Sequence, residues 1–149
     1  MWRVLWLAIA VSCWGQEAPL RVLFLGNSYT YYNNLAGLVA GMAKRPVEAV
    51  AVTRGGATLG ELYTATNALQ VLRGGRWDVV VLQEQSTFGL NQFNGDVVVN
   101  DPGAFFTWAR IWEYEIRRQG ARTVFLNTWA RKGRAEMQPH IDWAHAAIA

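Results

Sequence analysis

Ser28 is the residue of this chain best placed to do chemistry. It stands two residues after the apolar run Arg21-Val22-Leu23-Phe24-Leu25-Gly26, just ahead of a stretch that reads as helix. A serine on a turn between a buried strand and a helix exposes its hydroxyl and gathers backbone N–H groups at the same spot. Serine is a weak nucleophile unless a base takes its proton and a donor set holds the oxyanion that forms. Gly56, in the loop Thr53-Arg54-Gly55-Gly56-Ala57, can offer a bare N–H because no side chain blocks close approach. Gln83 or Gln85, in Gln83-Glu84-Gln85-Ser86-Thr87, can offer an amide N–H₂. Ser28 is thus the candidate nucleophile, and Ser28, Gly56, Gln83 and Gln85 are the candidate oxyanion hole.

Such residues need a scaffold that brings them to one place. Four apolar runs read as strands, at residues 21–26, 47–52, 78–82 and 122–126. Helical patterns separate them. Asn33 or Asn34 can cap the first helix, which runs to about Lys44 with Leu35, Leu38, Val39 and Met42 on its apolar face. Thr58 can cap the second, with Glu61 completing a capping box and Leu59, Leu62, Leu69 and Leu72 as its buried stripe. Phe88 begins a long loop that ends near Asn100, after which Asp101-Pro102 opens a third helix as N-cap and first-turn proline. That helix repeats Phe105, Trp108, Ala109, Trp112 and Ile116 every three or four residues, and a last helix begins near Ala135. The alternation predicts an α/β fold, a three-layer sandwich whose parallel sheet is covered by helices on both faces. Ligands of such sheets lie beyond the carboxyl ends of the strands. The segments arriving there are Gly26-Asn27-Ser28, Gly55-Gly56-Ala57, Gln83-Glu84-Gln85-Ser86 and Asn127-Thr128-Trp129, all small or polar after strongly apolar strands.

The run Leu25-Gly26-Asn27-Ser28-Tyr29 resembles the first block of the SGNH (GDSL-type) hydrolases, with Asn27 where aspartate is common. Gly55-Gly56-Ala57-Thr58 resembles the second block. Val81-Leu82-Gln83-Glu84-Gln85-Ser86 stands where the third should be, without the asparagine of the usual Gly-x-Asn-Asp. The resemblance covers about residues 21–149 and is nearest to a divergent secreted bacterial branch. It implies a flavodoxin-like fold and ester hydrolysis through a serine acyl-enzyme, with no metal and no cofactor. It implies Ser28 as nucleophile and oxyanion donor, Gly56 as the oxyanion glycine, and Gln83 or Gln85 in place of the absent asparagine. Substrates of the family include lipid esters and O-acetyl groups on carbohydrates, so a small-molecule or glycan ester is the expected partner.

The family's last block is Asp-x-x-His, and Asp142-Trp143-Ala144-His145 matches that string. Asp142 and His145 are therefore a possible base pair, but their position argues against it. The string starts fifteen residues after Asn127, whereas a helical crossover to a further parallel strand needs roughly a dozen residues before the strand itself. Ile141, Ala144 and Ile148 have helical spacing, so Asp142 and His145 are expected as an i,i+3 pair on a helix surface. On this reading the chain is incomplete at its C-terminus, lacking its last strand and the catalytic Asp and His. His140 reads as a loop or helix-start residue, Trp108 and Trp112 as core, and Glu84 as a surface carboxylate. Tyr29, Tyr31 and Tyr32 line a pocket or pack the helix entry, and Asn127 and Trp129 line the pocket. A non-catalytic carbohydrate-binding module on the same fold is the alternative. A nucleotide-binding domain ranks last, since Gly26-Asn27-Ser28 has one glycine where Gly-x-Gly-x-x-Gly is required.

Composition bounds these readings. The chain has 149 residues, 52% of them hydrophobic, which suits one folded domain and excludes a disordered chain. One cysteine and two histidines exclude a disulfide framework and a Cys/His metal cluster. The net charge is +3, and its densest basic stretches, Arg117-Arg118-Arg122 and Arg131-Lys132-Arg134, are split by an apolar strand, so no nucleic-acid partner is expected. Met1-Trp2-Arg3, the uncharged run from Val4 to Val11, and Ser12-Cys13-Trp14-Gly15 have the layout of a secretory signal peptide cleaved after Gly15. Residues 1–15 are then a leader and 16–149 the domain, secreted or periplasmic. Ala10-Val11-Ser12-Cys13 also resembles a lipobox, so a lipid anchor on Cys13 is the alternative and the one expected route to a membrane.

Overall fold

The computed structural model describes residues 17–89, 92–93 and 95–149. The expected leader and Cys13 lie outside the described residues. Four apolar segments form the strands β1 (Leu20–Gly26), β2 (Val47–Thr53), β3 (Val79–Leu82) and, after the two short strands described below, β6 (Arg122–Phe125). They make one parallel sheet in the order β2-β1-β3-β6. Leu25 lies beside Val52 on one side and Leu82 on the other, and Leu82 pairs with Phe125, so all four strands deliver their carboxyl ends to one edge. No fifth parallel strand is present among the described residues.

Helices cover both faces, because strands apolar on both sides must bury both. On one face Leu23, Leu25, Val80 and Leu82 pack with Leu59, Leu62, Leu72, Phe105, Trp112, Ile116 and Ile141. These come from α3 (Leu59–Ala65), α4 (Ala68–Gly74), α5 (Gly103–Arg118) and α6 (Gln138–Ile148). On the other face Val22, Phe24 and Val79 meet Ala36 and Leu35 of α2 (Leu35–Met42). A further short helix, α1 (Ser28–Tyr31), occupies the turn after β1.

Several local expectations are met. Asn34 caps α2, its side chain accepting from the Gly37 N–H. Thr58 and Glu61 form the reciprocal capping box. Others shift for physical reasons. The expected second helix breaks at Thr66-Asn67, where the Thr66 hydroxyl turns back to the Leu62 carbonyl and accepts from the Ala68 N–H. Asp101 does accept a helix-start N–H, that of Gly103 at 2.8 Å, but α5 begins one residue later than expected. Most of the expected α2 stripe is turned away from the sheet: Leu38, Val39 and Met42 are exposed, while Leu35 and buried Ala36 face the strands. Within the long loop, β4 (Gln92–Phe93) and β5 (Asp96–Val97) form a small antiparallel pair.

Candidate active site

Ser28 is the first residue of α1, at the carboxyl edge of the sheet. Buried Asn27 holds it there. The Asn27 side-chain oxygen accepts the Tyr29 N–H at 3.2 Å, and its Nδ2 donates to the Ala57 carbonyl at 2.9 Å. The Arg54 N–H donates to the Gly26 carbonyl at 3.2 Å. These bonds lace the Ser28 turn to the Gly56 loop. Gly56 has φ +69°, a left-handed conformation that favours glycine. Neither the Ser28 N–H, the Ser28 hydroxyl nor the Gly56 N–H has a hydrogen-bond partner among the described residues.

The two glutamines behave differently. Gln83 is 1% exposed. Its Oε1 accepts the Asn27 N–H and the Thr30 hydroxyl, both at 2.9 Å, while its Nε2 donates to the Glu84 carbonyl. It braces the end of β3 against the Ser28 turn. Gln85 Oε1 gathers the Thr87 N–H and hydroxyl, each at 2.7 Å, and the Gly89 N–H at 3.1 Å. Its Nε2 has no partner among the described residues. Glu84, expected on the surface, is instead 2% exposed, because its carboxylate is drawn in by the Leu59 and Gln85 N–H groups.

Asp142 and His145 lie on α6, as the helical spacing predicts, but they do different things. Asp142 is exposed, and its Oδ1 accepts from Asn127 Nδ2 at 2.7 Å and Gln138 Nε2 at 2.8 Å. Those bonds hold its carboxyl below the usual carboxylate range. His145 is 6% exposed, a correction to its expected surface place. Its side of α6 packs into the core, where the imidazole lies against Phe105 and Phe88 and its Nδ1 sits 2.9 Å from the Ile141 carbonyl. Burial pushes the imidazole below its ordinary value, against weaker upward pulls from that carbonyl and from Asp142. His140 Nε2 lies 3.3 Å from the Asn100 carbonyl. Neither histidine bonds Ser28.

Asp142 and Gln138 anchor the fourth loop instead. Gln138 donates to the Thr128 carbonyl and accepts the Ala130 N–H, fixing the chain on both sides of Trp129. Trp129 stacks on Tyr29 with centroids 4.5 Å apart and planes 6° apart. Together with Ser28, Tyr32 and Asn33 they line an open cavity of about 240 Å³. The larger hollows lie on outer helix surfaces, one along Arg110, Tyr114 and Arg118 of α5 and one between Tyr63 and Gly74, and include none of the four loop segments. Sequence reasoning missed the roles of Asn27, Thr30 and Gln138 in joining one loop to another, because the partners that do so (Ala57 and Gln83 for Asn27, Gln83 for Thr30, Thr128 and Ala130 for Gln138) lie eight or more positions away.

No family model and no curated protein matches this chain. Solved structures do match. An acetyl xylan esterase superposes with a TM-score of 0.64 at 17% identity, over 87% of this chain and 72% of its own. An alpha/beta hydrolase enzyme from the metagenome of Lake Arreo, Spain, gives 0.64 at 14% identity, over 90% and 73%. A lipase/acylhydrolase from Enterococcus faecalis gives 0.55 at 15% identity, over 85% and 73%. These likenesses define the fold class, an α/β sandwich with a flavodoxin-like parallel sheet. It is the fold expected from the SGNH (GDSL-type) resemblance.

Proposed function

We propose that this protein is a serine ester hydrolase acting on acyl or O-acetyl esters. One observation carries the reading: Ser28 has an unbonded hydroxyl at the sheet edge, with its own N–H and that of Gly56 also unpaired in the loop laced to it. The hydroxyl attacks the ester carbonyl, and the two N–H groups hold the oxyanion of the tetrahedral intermediate. Collapse of that intermediate expels the alcohol and leaves an acyl-serine, which water hydrolyses. Gln85, with its free Nε2, is a better third donor than Gln83, whose amide is occupied. The exposed side of Trp129 offers a flat wall to the alcohol part of a small-molecule or glycan ester. The acetyl xylan esterase and lipase/acylhydrolase of like fold support ester chemistry in general.

Because neither His140 nor His145 bonds Ser28, the general base comes from other groups on this reading. Added imidazole can stand in for it. Acetyl-ester turnover, measured above the rate of the same imidazole buffer without protein, is expected to rise with imidazole in the wild type and to be absent in Ser28→Ala. General-base help of this kind is worth about 10²–10⁴-fold when well positioned. Equal rates in the two proteins would reject Ser28 as nucleophile. The second reading, a cleft that binds without chemistry, is favoured by that same lack of a bonded base. It requires ligand binding that Ser28→Ala leaves intact, with no imidazole response in either protein.

A further inference from the structure

We propose that Glu84 is a positioning residue, whose buried carboxylate ties the first turn of α3, and with it the Gly56 loop, to the end of β3 that braces the Ser28 turn. The inference rests on the reading of Ser28 and Gly56 as nucleophile and oxyanion donor. Glu84 Oε2 accepts the Leu59 N–H at 3.2 Å, and Oε1 accepts the Gln85 N–H at 2.6 Å. Leu59 opens α3 directly after its Thr58 cap, three residues beyond Gly56. On the other side of Glu84, Gln83 takes the Asn27 N–H and the Thr30 hydroxyl. One short segment of chain therefore holds both walls of the cleft floor.

The choice of residue is chemically specific. Both Glu84 oxygens accept from backbone N–H groups, and an amide of the same length has only one acceptor oxygen. A charge in so dry a place is costly, and no lysine or arginine pairs with Glu84 among the described residues. Its immediate partners, Gln83, Gln85 and the Leu59 backbone, are neutral. The charged group acting on it is Glu61 of α3, which repels it. Burial and Glu61 push the carboxyl up, the two N–H donors pull it down, and it lies at about 7. The ionised form serves both donors as an acceptor. The neutral form carries a proton on one oxygen and serves one of them poorly, so the brace is tighter above pH 7 than below it.

The test uses the full chain and two readouts. The Leu59 and Gln85 amide resonances are followed by NMR from pH 5 to 9, with no substrate present. In the wild type both are expected to move with a midpoint near 7, and Glu84→Gln is expected to remove that titration. Imidazole-assisted acetyl-ester turnover is then compared between wild type and Glu84→Gln at each pH, so that the titration of imidazole itself cancels. The kcat values should converge below pH 6 and separate by about tenfold above pH 8, with KM little changed, because a misplaced catalytic group costs rate up to about 10²-fold. Two results would overturn the proposal: amides that do not titrate in the wild type, or a kcat ratio that is flat with pH. Failure of the serine reading shows separately, as Ser28→Ala turnover equal to wild type, and the amides still decide whether the brace exists.

Discussion

Gln83→Leu separates two roles that one side chain could play at this site. The substitution keeps roughly the volume and removes every polar atom. It strands the Asn27 N–H and the Glu84 carbonyl in a place where Gln83 itself is 1% exposed. The Thr30 hydroxyl can rotate to another acceptor and adds little to the cost. A buried polar group without its partner costs about 1–3 kcal/mol, so two such groups cost about 2–6 kcal/mol. Domains of this kind are stable by about 5–15 kcal/mol, and urea slopes run about 1–3 kcal/mol per molar. The urea midpoint, followed by tryptophan fluorescence, should therefore fall by about 1–3 M with little change in slope. An oxyanion donor would behave otherwise: its removal costs about 10²–10³-fold in kcat and leaves the midpoint in place. An unchanged midpoint with turnover reduced a hundredfold would refute the brace and return Gln83 to the oxyanion hole.

Three further outcomes follow from the same geometry. Glu84 has a folded-state value near 7 against 4.5 for the free carboxyl, so the unfolded chain loses that proton first as pH rises. Its contribution to stability is full below pH 4.5 and falls by about 3 kcal/mol as pH rises from there to about 7; denaturation at pH 5 and pH 8 should show most of this fall in the wild type and not in Glu84→Gln. Trp112→Ala should cost about 3–5 kcal/mol, since the ring is fully buried and its Nε1 donates to the Leu59 carbonyl at 3.0 Å; thermal or urea unfolding measures it. Trp129→Ala should raise KM about tenfold for esters of ring-bearing alcohols, at about 1.4 kcal/mol of lost contact, and much less for ethyl acetate; steady-state kinetics on the two substrates checks it.

What could be read from the residue order, and what could not, divides by the range of the interactions. The Thr58–Glu61 box and the Asn34 cap were legible because both partners lie within one turn of each other. The meeting of the turn that carries Ser28 with the loop that carries Gly56 was legible because parallel topology sends every strand's carboxyl end to one edge. The burial of Glu84 was not, because its pull inward comes from a Leu59 N–H in another element. The burial of His145 depends on α6 docking against Phe105 and Phe88, and no feature of Asp142-Trp143-Ala144-His145 announces which side of that helix turns in. Gln83 shows the general difficulty. A glutamine carries both a donor and an acceptor, so its presence at a sheet edge suits an oxyanion hole and a scaffold equally well. The decision lies with Asn27 and Thr30, more than fifty positions away, which claim its oxygen. A polar residue beside a proposed nucleophile is therefore informative about chemistry only to the extent that its hydrogen bonds remain unspent, and here that condition favours Gln85 over Gln83 as the proposed donor.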